Sequence, residues 1–164
     1  MGFKARLGIL AAVAAVTGMV LASTGTIEAA LTGEAAIKAR KDAMKSNSND
    51  MKAIQAFVKD GTGSAADVGK AATSIAETTK KLADMFPKGS GRGDFPDKVT
   101  RALPAIWTDM AGFKKVVATT VTEAEKLATV AKGGDKDAIG KQVAVLNKEG
   151  CGACHTTYRG EAVK

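Results

Sequence analysis

The sequence predicts an all-α protein, an antiparallel four-helix bundle, and two observations support that fold class. Three glycine-rich breaks divide the chain after residue 30 into four long segments: DGTG (60–63), PKGSGRGDFPD (87–97) and KGGD (132–135). No run of alternating β-branched residues occurs, and alanine, lysine, glutamate and leucine are frequent, which favours helices. Four long helices joined mostly by short turns are typical of an antiparallel bundle.

The N-terminal residues differ from the rest of the chain. Lys4 and Arg6 precede an apolar run, and a small residue, Ala22, stands at its end. The pattern predicts a secretory signal peptide over residues 1–22, with cleavage at any point up to about residue 30. The bundle domain would then span 31–164. An uncleaved membrane anchor is the alternative, but the run is short for a membrane span. We therefore expect an exported, periplasmic protein without stable membrane insertion after processing.

The formal charge limits the classes of partner. The chain carries +7 at pH 7, and two of the positive charges lie in residues 1–22, which leaves +5 (7 − 2) on the mature chain. Lysines are spread along the chain and aromatic residues make up 4% of it, so nucleic acid is not an expected partner.

The first two segments each show a seven-residue apolar repeat. The first runs from about residue 32 to 59, with apolar residues at Ile37, Met44, Met51 and Val58 and with Ile54 between the last two. The second runs from about 64 to 86, with Ser64 as the expected N-cap and Asp67 in the first turn. We expect both to face the interior of the bundle.

The third and fourth segments complete the four helices. The third begins around 102–104, where Pro104 suits a first helical turn, and apolar residues continue at three- and four-residue steps to Leu127. The fourth is predicted over about 135–159. The glycine-rich connection over about 87–101 is expected to cross one end of the bundle.

The fourth segment contains the residues with the clearest chemistry. Cys151-Gly152-Ala153-Cys154-His155 has the C-x-x-C-H spacing of covalent haem attachment, and it includes both cysteines and the single histidine of the chain. Residues three apart share a helix face, so both thiols can reach the vinyl groups along one porphyrin edge, and His155 is presented to the iron from the same side. The pattern predicts one covalent haem c per chain.

Three other uses of these residues are less consistent with the sequence. A thioredoxin-like dithiol normally begins a helix in an α/β fold, and no strands are evident here. A structural zinc site would need a fourth protein ligand. A disulfide between residues three apart would close a loop too short to stabilise the chain much. Of these, the dithiol is the main alternative.

Four stretches together resemble the cytochrome c-prime family of bacterial periplasmic haem proteins. They are IKARKDAM (37–44), LADMFPKGSG (82–91), ALPAIWTDMAGF (102–113) and CGACHTTYR (151–159), of which the last is the most specific. The resemblance covers essentially the whole chain after the signal segment. It implies a four-helix-bundle cytochrome that is not an enzyme.

The resemblance also implies roles for individual residues. Cys151 and Cys154 would hold the haem, and His155 would be the proximal iron ligand. Arg40 matches an arginine that the family places near the haem propionates, and Arg159 matches the one beside the proximal histidine. Lys41 departs from the family, whose members commonly carry glutamine there.

The position four residues after Arg40 divides the family. Low-spin members place there a methionine that ligates the iron, which suits electron transfer; high-spin members leave the iron five-coordinate and able to bind gases. This chain has Met44, so we expect a His155/Met44-ligated single-electron carrier. The alternative is a five-coordinate cytochrome that binds nitric oxide or carbon monoxide, since a methionine at helical spacing is often core filler. Met51 is a weaker candidate ligand and Met110 is expected in the core.

The remaining expectations concern Arg40 and protein partners. A charge on the inward side of a helix is costly without a partner, and a haem propionate would supply one for Arg40. An electron carrier also requires redox partner proteins, which the sequence does not identify. Relatives often form dimers through their first two helices, so a homodimer is compatible with the family resemblance.

Overall fold

The computed structural model describes residues 32–163, and the predicted signal peptide over residues 1–22 lies outside this range. The helices in chain order are α1 (Gly33–Asp60), α2 (Ala65–Lys80), a 3-10 turn (Leu82–Met85), α3 (Ala105–Thr108), α4 (Met110–Ala131), α5 (Lys136–Val145), a π-helical segment (Leu146–Gly152) and α6 (Ala153–Tyr158). The last three are continuous and form the fourth long segment, called here the C-terminal helix. The all-α four-helix bundle is confirmed.

Short-range signals set the helix boundaries. The Thr32 hydroxyl accepts a hydrogen bond from the Ala35 amide at 3.4 Å, and Ser64 caps α2, as predicted, by accepting from the Asp67 amide at 3.2 Å. Gly61 ends α1 in the left-handed conformation with φ of 71°, which a residue without a Cβ adopts at little cost.

The structure departs from the predicted helices at three places. The helix of the second segment ends at Lys80, and a 3-10 turn follows it, whereas a single helix to about residue 86 was expected. The third segment is broken at Asp109, which has φ of −129° and ψ of 56° and whose carboxylate accepts from the Gly112 amide at 3.0 Å. The fourth contains the π-helical segment, and such segments are frequent at functional sites.

Two hydrophobic cores occupy the two ends of the bundle. The first, called here the aliphatic core, consists of aliphatic and alanine side chains: Ile54, Val68, Ala72, Ile75, Ala76, Ala124, Leu127, Ala131, Ile139, Val143 and Leu146. The second, called here the aromatic core, consists of Leu82, Ala102, Ile106, Phe113, Val117 and Tyr158. Burial of these side chains stabilises both ends of the bundle.

The third and second segments are joined by a long connection over residues 87–101, as expected. Isolated bridges join Arg92 to Phe95 and Ala102 to Arg159, and they are the only β-type pairing among residues 32–163. Within the same range, no helix is both long enough and apolar enough to span a membrane.

Candidate functional site

A cavity of about 490 Å³ lies between α1 and the C-terminal helix, beside the aromatic core. Its lining includes Cys151, Cys154 and His155 on one side and Ile37, Met44 and Met51 of α1 on the other. The volume falls within the range typical of pockets that hold organic ligands. The residues that the sequence singled out for cofactor binding therefore share one cavity.

Both cysteines are half-buried free thiols, with Cys151 in the π-helical segment and Cys154 in α6. Burial raises the pKa of the Cys151 thiol above its usual range. Burial, with a smaller contribution from Cys151, raises the pKa of Cys154 to about 11. Both sulfurs are therefore protonated at neutral pH, which does not favour the reactive thiolate that a dithiol oxidoreductase requires.

His155 is half-buried in α6 and lines the same cavity. Burial, and then the positive charges of Arg159 and Arg101, lower the pKa of its imidazole. The ring is therefore neutral at neutral pH, which is the state that coordinates a metal.

The close approach of the C-terminal helix to α4 depends on Gly150. A Cβ at this position would lie 3.1 Å from both Cα and Oγ1 of Thr120. The absence of a side chain lets the segment that carries Cys151 pack directly on α4, which leaves the opposite side of the helix free to face the cavity.

Aromatic side chains form part of the cavity wall. Phe86, Phe113 and Tyr158 make edge-to-face contacts, with ring centroids 4.9 Å apart for the first pair and 5.2 Å for the second. The Tyr158 hydroxyl donates to Asp109 Oδ2 at 3.0 Å, which ties α6 to the break between α3 and α4. The sequence did not predict this bond, because the break at Asp109 was not visible in the helical pattern of the third segment.

Arg40 lies in α1 and is 5% exposed. Its guanidinium donates to Ser90 Oγ and Thr100 Oγ1, both at 2.9 Å, and to the carbonyl oxygens of Ser90 and Met85. It also lies over the Phe86 ring, 4.7 Å from the centroid. Burial lowers its pKa to about 10, so it remains charged at neutral pH.

The burial of Arg40 therefore does not by itself require a haem propionate. The sequence suggested a propionate as the partner of this buried charge; Ser90 and Thr100, which the long connection brings to the guanidinium, are partners that the sequence did not reveal. The sequence contained no periodic signal that could have placed these two residues. Because Arg40 also lines the cavity, a propionate contact stays a prediction.

The chain after α6 pairs with the segment that precedes α3. The Leu103 amide donates to the Tyr158 carbonyl at 3.1 Å, and the Gly160 amide donates to the Arg101 carbonyl at 2.8 Å. Arg159 and Arg101 are exposed and line the cavity. Lys41, also exposed, lies on its α1 side. This end of the cavity is positively charged, which suits a carboxylate-bearing ligand.

The remaining methionine predictions divide between the cavity and the core. Met44 is half-buried, lines the cavity and packs against the aromatic core, and Met51 lines the cavity while packing against the aliphatic core. Met110 packs against the aromatic core and is absent from the cavity lining. The positions of Met44 and Met51 are compatible with either ligation or packing.

The residues present fit a covalent haem. The two thiols, three positions apart, suit the vinyl edge of the porphyrin, and the neutral imidazole suits the iron. The apolar walls suit the porphyrin plane, and the positively charged end suits the propionates. Over residues 32–163 no three histidine, cysteine, aspartate or glutamate side chains come together in a way that could hold a metal ion. That observation disfavours a zinc cluster in this part of the chain.

Comparison with known proteins agrees with this fit. The family model described as Cytochrome C' matches residues 35–159. The chain belongs to the cytochrome c' family. It is 35% identical to cytochrome c' of Rhodospirillum rubrum over 159 residues, which cover 95% of this chain and 99% of the relative.

Two further comparisons cover most of the bundle. Cytochrome c-556 of Agrobacterium tumefaciens is 32% identical over 75% of this chain and 95% of the relative. The crystal structure of cytochrome c' from Thermochromatium tepidum superposes with a TM-score of 0.71 at 26% identity, over 81% of this chain and all of that one. As a member of the cytochrome c' family, the chain is a monohaem c-type cytochrome, and its cofactor is covalent haem c.

Proposed function

We propose that this cytochrome binds a small gas, such as nitric oxide or carbon monoxide, at a five-coordinate haem iron. In this proposal Cys151 and Cys154 hold the haem by thioether bonds and His155 is the proximal ligand. The residues of α1 that line the cavity would then be the ones available to the ligand-binding side of the haem. The haem supplies an iron that binds diatomic gases when a coordination position is open.

The composition of the α1 side of the cavity is the observation that carries this proposal. His155 is the single histidine of the chain, so no second imidazole is available to close the other axial position. The side chains that α1 contributes there include Ile37, Met44 and Met51, and Met44 already has packing partners in the aromatic core. In this proposal Met44 keeps these core contacts and does not ligate the iron, so the axial position stays open.

The family relationship supports the same function. The family model and the first relatives bear the name cytochrome c', whose high-spin members are five-coordinate. Solved structures of cytochrome c prime from Alcaligenes xylosoxidans contain nitric oxide or carbon monoxide. Those structures are 24% identical to this chain and establish the shared fold, so the proposal of gas binding rests on the cavity residues.

The second candidate is the predicted single-electron carrier with His155/Met44 ligation. One observation favours it: the Met44 thioether lines the same cavity as His155 and packs in the same cluster as Cys154. A thioether ligand would raise the reduction potential and close the gas site. Such a carrier would exchange electrons with separate redox proteins.

The absorption spectrum of the purified holoprotein separates these two functions. We expect a high-spin spectrum in the wild type and in Met44→Leu, and carbon monoxide uptake by both ferrous forms. Met110→Leu is the matched control, because Met110 packs on the aromatic core but does not line the cavity. A low-spin wild type that becomes high-spin only in Met44→Leu would establish the electron carrier and refute the gas binder.

We further propose that residues 31–164 act in the periplasm after removal of residues 1–22, and that the protein turns over no substrate. Arg40 is proposed to contact a haem propionate, and Arg159 to lie beside the proximal ligand His155. A solved cytochrome c' with a TM-score of 0.70 and 26% identity is described as having an unusual ligand-controlled dimer dissociation. We extend the dimer to this chain through the exposed faces of α1 and α2. Sedimentation of the holoprotein with and without carbon monoxide tests it: one monomeric species in both would refute it.

A further inference from the structure

The C-terminal helix ends in a short segment that carries the proposed proximal ligand. This segment, α6, spans the six residues Ala153–Tyr158, and the chain after it is extended. A segment of this length makes fewer than two helical turns, so the direction of His155 depends on the contacts that hold its two ends. Just before its start, Gly150 packs directly on Thr120 of α4. The contacts at its other end are made by Tyr158.

Tyr158 is held both by its ring and by its hydroxyl. The residue is 7% exposed, and its ring meets the Phe113 ring edge to face, with the centroids 5.2 Å apart. The hydroxyl donates to Asp109 Oδ2 at 3.0 Å, while Oδ1 of the same carboxylate accepts from the Gly112 amide at 3.0 Å. One carboxylate at the start of α4 therefore both caps that helix and holds the end of α6.

The position of these two groups leaves no room for a side chain at residue 112. A Cβ there would lie 2.8 Å from the Tyr158 hydroxyl oxygen, and it would also collide with the Asp109 carboxylate. Gly112 lies inside α4 and does not have a positive φ, so its backbone conformation does not require glycine. What this glycine accommodates is the pairing of Tyr158 with Asp109.

Tyr158 also relates the anchored end of α6 to the cofactor. It follows His155 by three residues and Cys154 by four, so the three share one face of the segment, and all three line the cavity. A ligand side chain keeps a fixed direction only when the residues that support it are themselves held. A rotation of α6 about its axis would move the His155 ring relative to a haem held by Cys154, and the bond to Asp109 opposes that rotation.

We propose that Tyr158 and Asp109 are positioning residues, whose hydrogen bond fixes the orientation of the His155 imidazole at the haem iron. The inference rests on the haem attachment and the proximal ligand of the proposed function. It does not depend on whether a gas or Met44 occupies the opposite axial position. Because the axial ligand is one of the means by which a protein tunes a haem iron, the pair acts on the iron without contacting it.

Proton NMR of the ferric holoprotein tests this role, because the paramagnetic shifts of the haem methyl groups depend on the orientation of the axial imidazole plane. Tyr158→Phe keeps the ring and removes the hydroxyl. Asp109→Ser keeps a capping residue for α4, but its side chain is too short to reach the hydroxyl. Each variant should shift the methyl signals by more than their linewidth. Because both changes remove the same bond, the double variant should give signals close to those of either single variant.

Two further variants supply a rescue and a control. Asp109→Asn keeps the cap through its amide oxygen and offers an amide N–H group to the Tyr158 oxygen, so it should retain the wild-type signals. Glu123→Gln alters the hydrogen bonds of a carboxylate that does not line the cavity. It should leave the methyl signals unchanged although it lowers the stability of the bundle.

Three results would overturn the inference or its basis. Wild-type methyl signals in both Tyr158→Phe and Asp109→Ser would overturn it and would assign the bond to stability alone. An equal shift in Glu123→Gln or Asp109→Asn would also overturn it, because the signals would then not report the bond. A wild type without covalent haem would overturn the cofactor assignment and this inference with it. A low-spin wild type would instead refute only the proposed gas binding, since ferric haem of either spin state gives paramagnetically shifted signals.

Discussion

The two ends of the bundle differ in how the helices are held together. At the aliphatic core, α2 and α4 approach closely over alanine side chains, and Ile54 and Leu127 are completely buried. At the aromatic core, α1 and the C-terminal helix stand on opposite sides of the 490 Å³ cavity. One end is packed by the chain itself, and the other is completed by the cofactor.

The difference follows from residue size and position. α2 and α4 lie close together at Gly69 and Ala131, since a Cβ at residue 69 would lie in van der Waals contact with that of Ala131, at 3.6 Å. At the other end, longer side chains such as Met44 and Phe86 line an open space. We infer that the aliphatic end maintains the helices while the aromatic end depends on the haem.

The largest effect on the stability of the aromatic end is expected from loss of both thiols. Cys151→Ser combined with Cys154→Ser should yield protein without covalent haem and with a greater loss of thermal stability than any single core substitution, because the apolar surface of the haem would no longer be buried in the cavity. Intact mass and thermal unfolding measure the two effects. Retention of a haem-sized mass increase would contradict the attachment.

The next largest effect is expected within the aliphatic core. Leu127→Ala should lower the free energy of unfolding by about 2–5 kcal/mol, since Leu127 has no exposed surface. Its visible spectrum should remain that of the wild type, because Leu127 does not line the cavity. Leu82→Ala is the comparison variant, because Leu82 is buried in the aromatic core and lines the cavity. If the spectrum changed in Leu127→Ala and not in Leu82→Ala, the assignment of the haem to the aromatic end would be wrong.

Arg40→Met tests how the connection over residues 87–101 is held against the aromatic end. Removing the guanidinium leaves Ser90 and Thr100 without their donor, which should cost about 2–3 kcal/mol and increase protease cleavage within residues 87–101. Urea unfolding and limited proteolysis measure these changes. Arg40→Lys keeps the charge but not the planar set of donors, so its stability and its rate of cleavage should fall between those of the wild type and of Arg40→Met. Unchanged cleavage in Arg40→Met would show that this connection is held by other contacts.

The smallest effect is expected at Glu123, which joins α4 to α5. Its carboxylate accepts from Lys126 Nζ at 2.6 Å and from Gln142 Nε2 at 2.8 Å, and these bonds hold the pKa of Glu123 below its usual range. A lowered folded-state pKa stabilises above the unfolded value and loses that effect as the pH falls. Glu123→Gln should therefore cost about 1 kcal/mol at pH 7, and this cost should shrink as the pH falls past the usual carboxyl pKa and through the lowered folded-state pKa. A cost that stays the same over that range would exclude the charge as its cause.

The fold was largely predictable because it depends on repeating patterns. The seven-residue spacing of Ile37, Met44 and Met51 placed α1 within a few residues of its observed bounds, and the cap at Ser64 placed the start of α2. The break at Asp109 and the π-helical segment were missed, since both occur inside patterns that remain helical and depend on tertiary contacts such as the Tyr158–Asp109 bond.

The candidate site was predictable only where its chemistry is local. Cys151, Cys154 and His155 lie within five residues, and their spacing alone predicts covalent haem. Asp109 and Tyr158 are separated by 49 residues and show no distinguishing pattern. The partners of Arg40 at Ser90 and Thr100 lie in an irregular connection, where periodicity offers no prediction.

Hydrogen exchange resolved along the chain tests the difference between the two ends most directly. The haem-containing protein and the Cys151→Ser/Cys154→Ser variant would be compared under the same conditions. We predict that amides of α6 and of the first half of α1 lose protection without haem, while those of α2 and the second half of α4 keep it. Equal loss of protection in all four helices would contradict the account, because the aliphatic end would then depend on the cofactor as much as the aromatic end does.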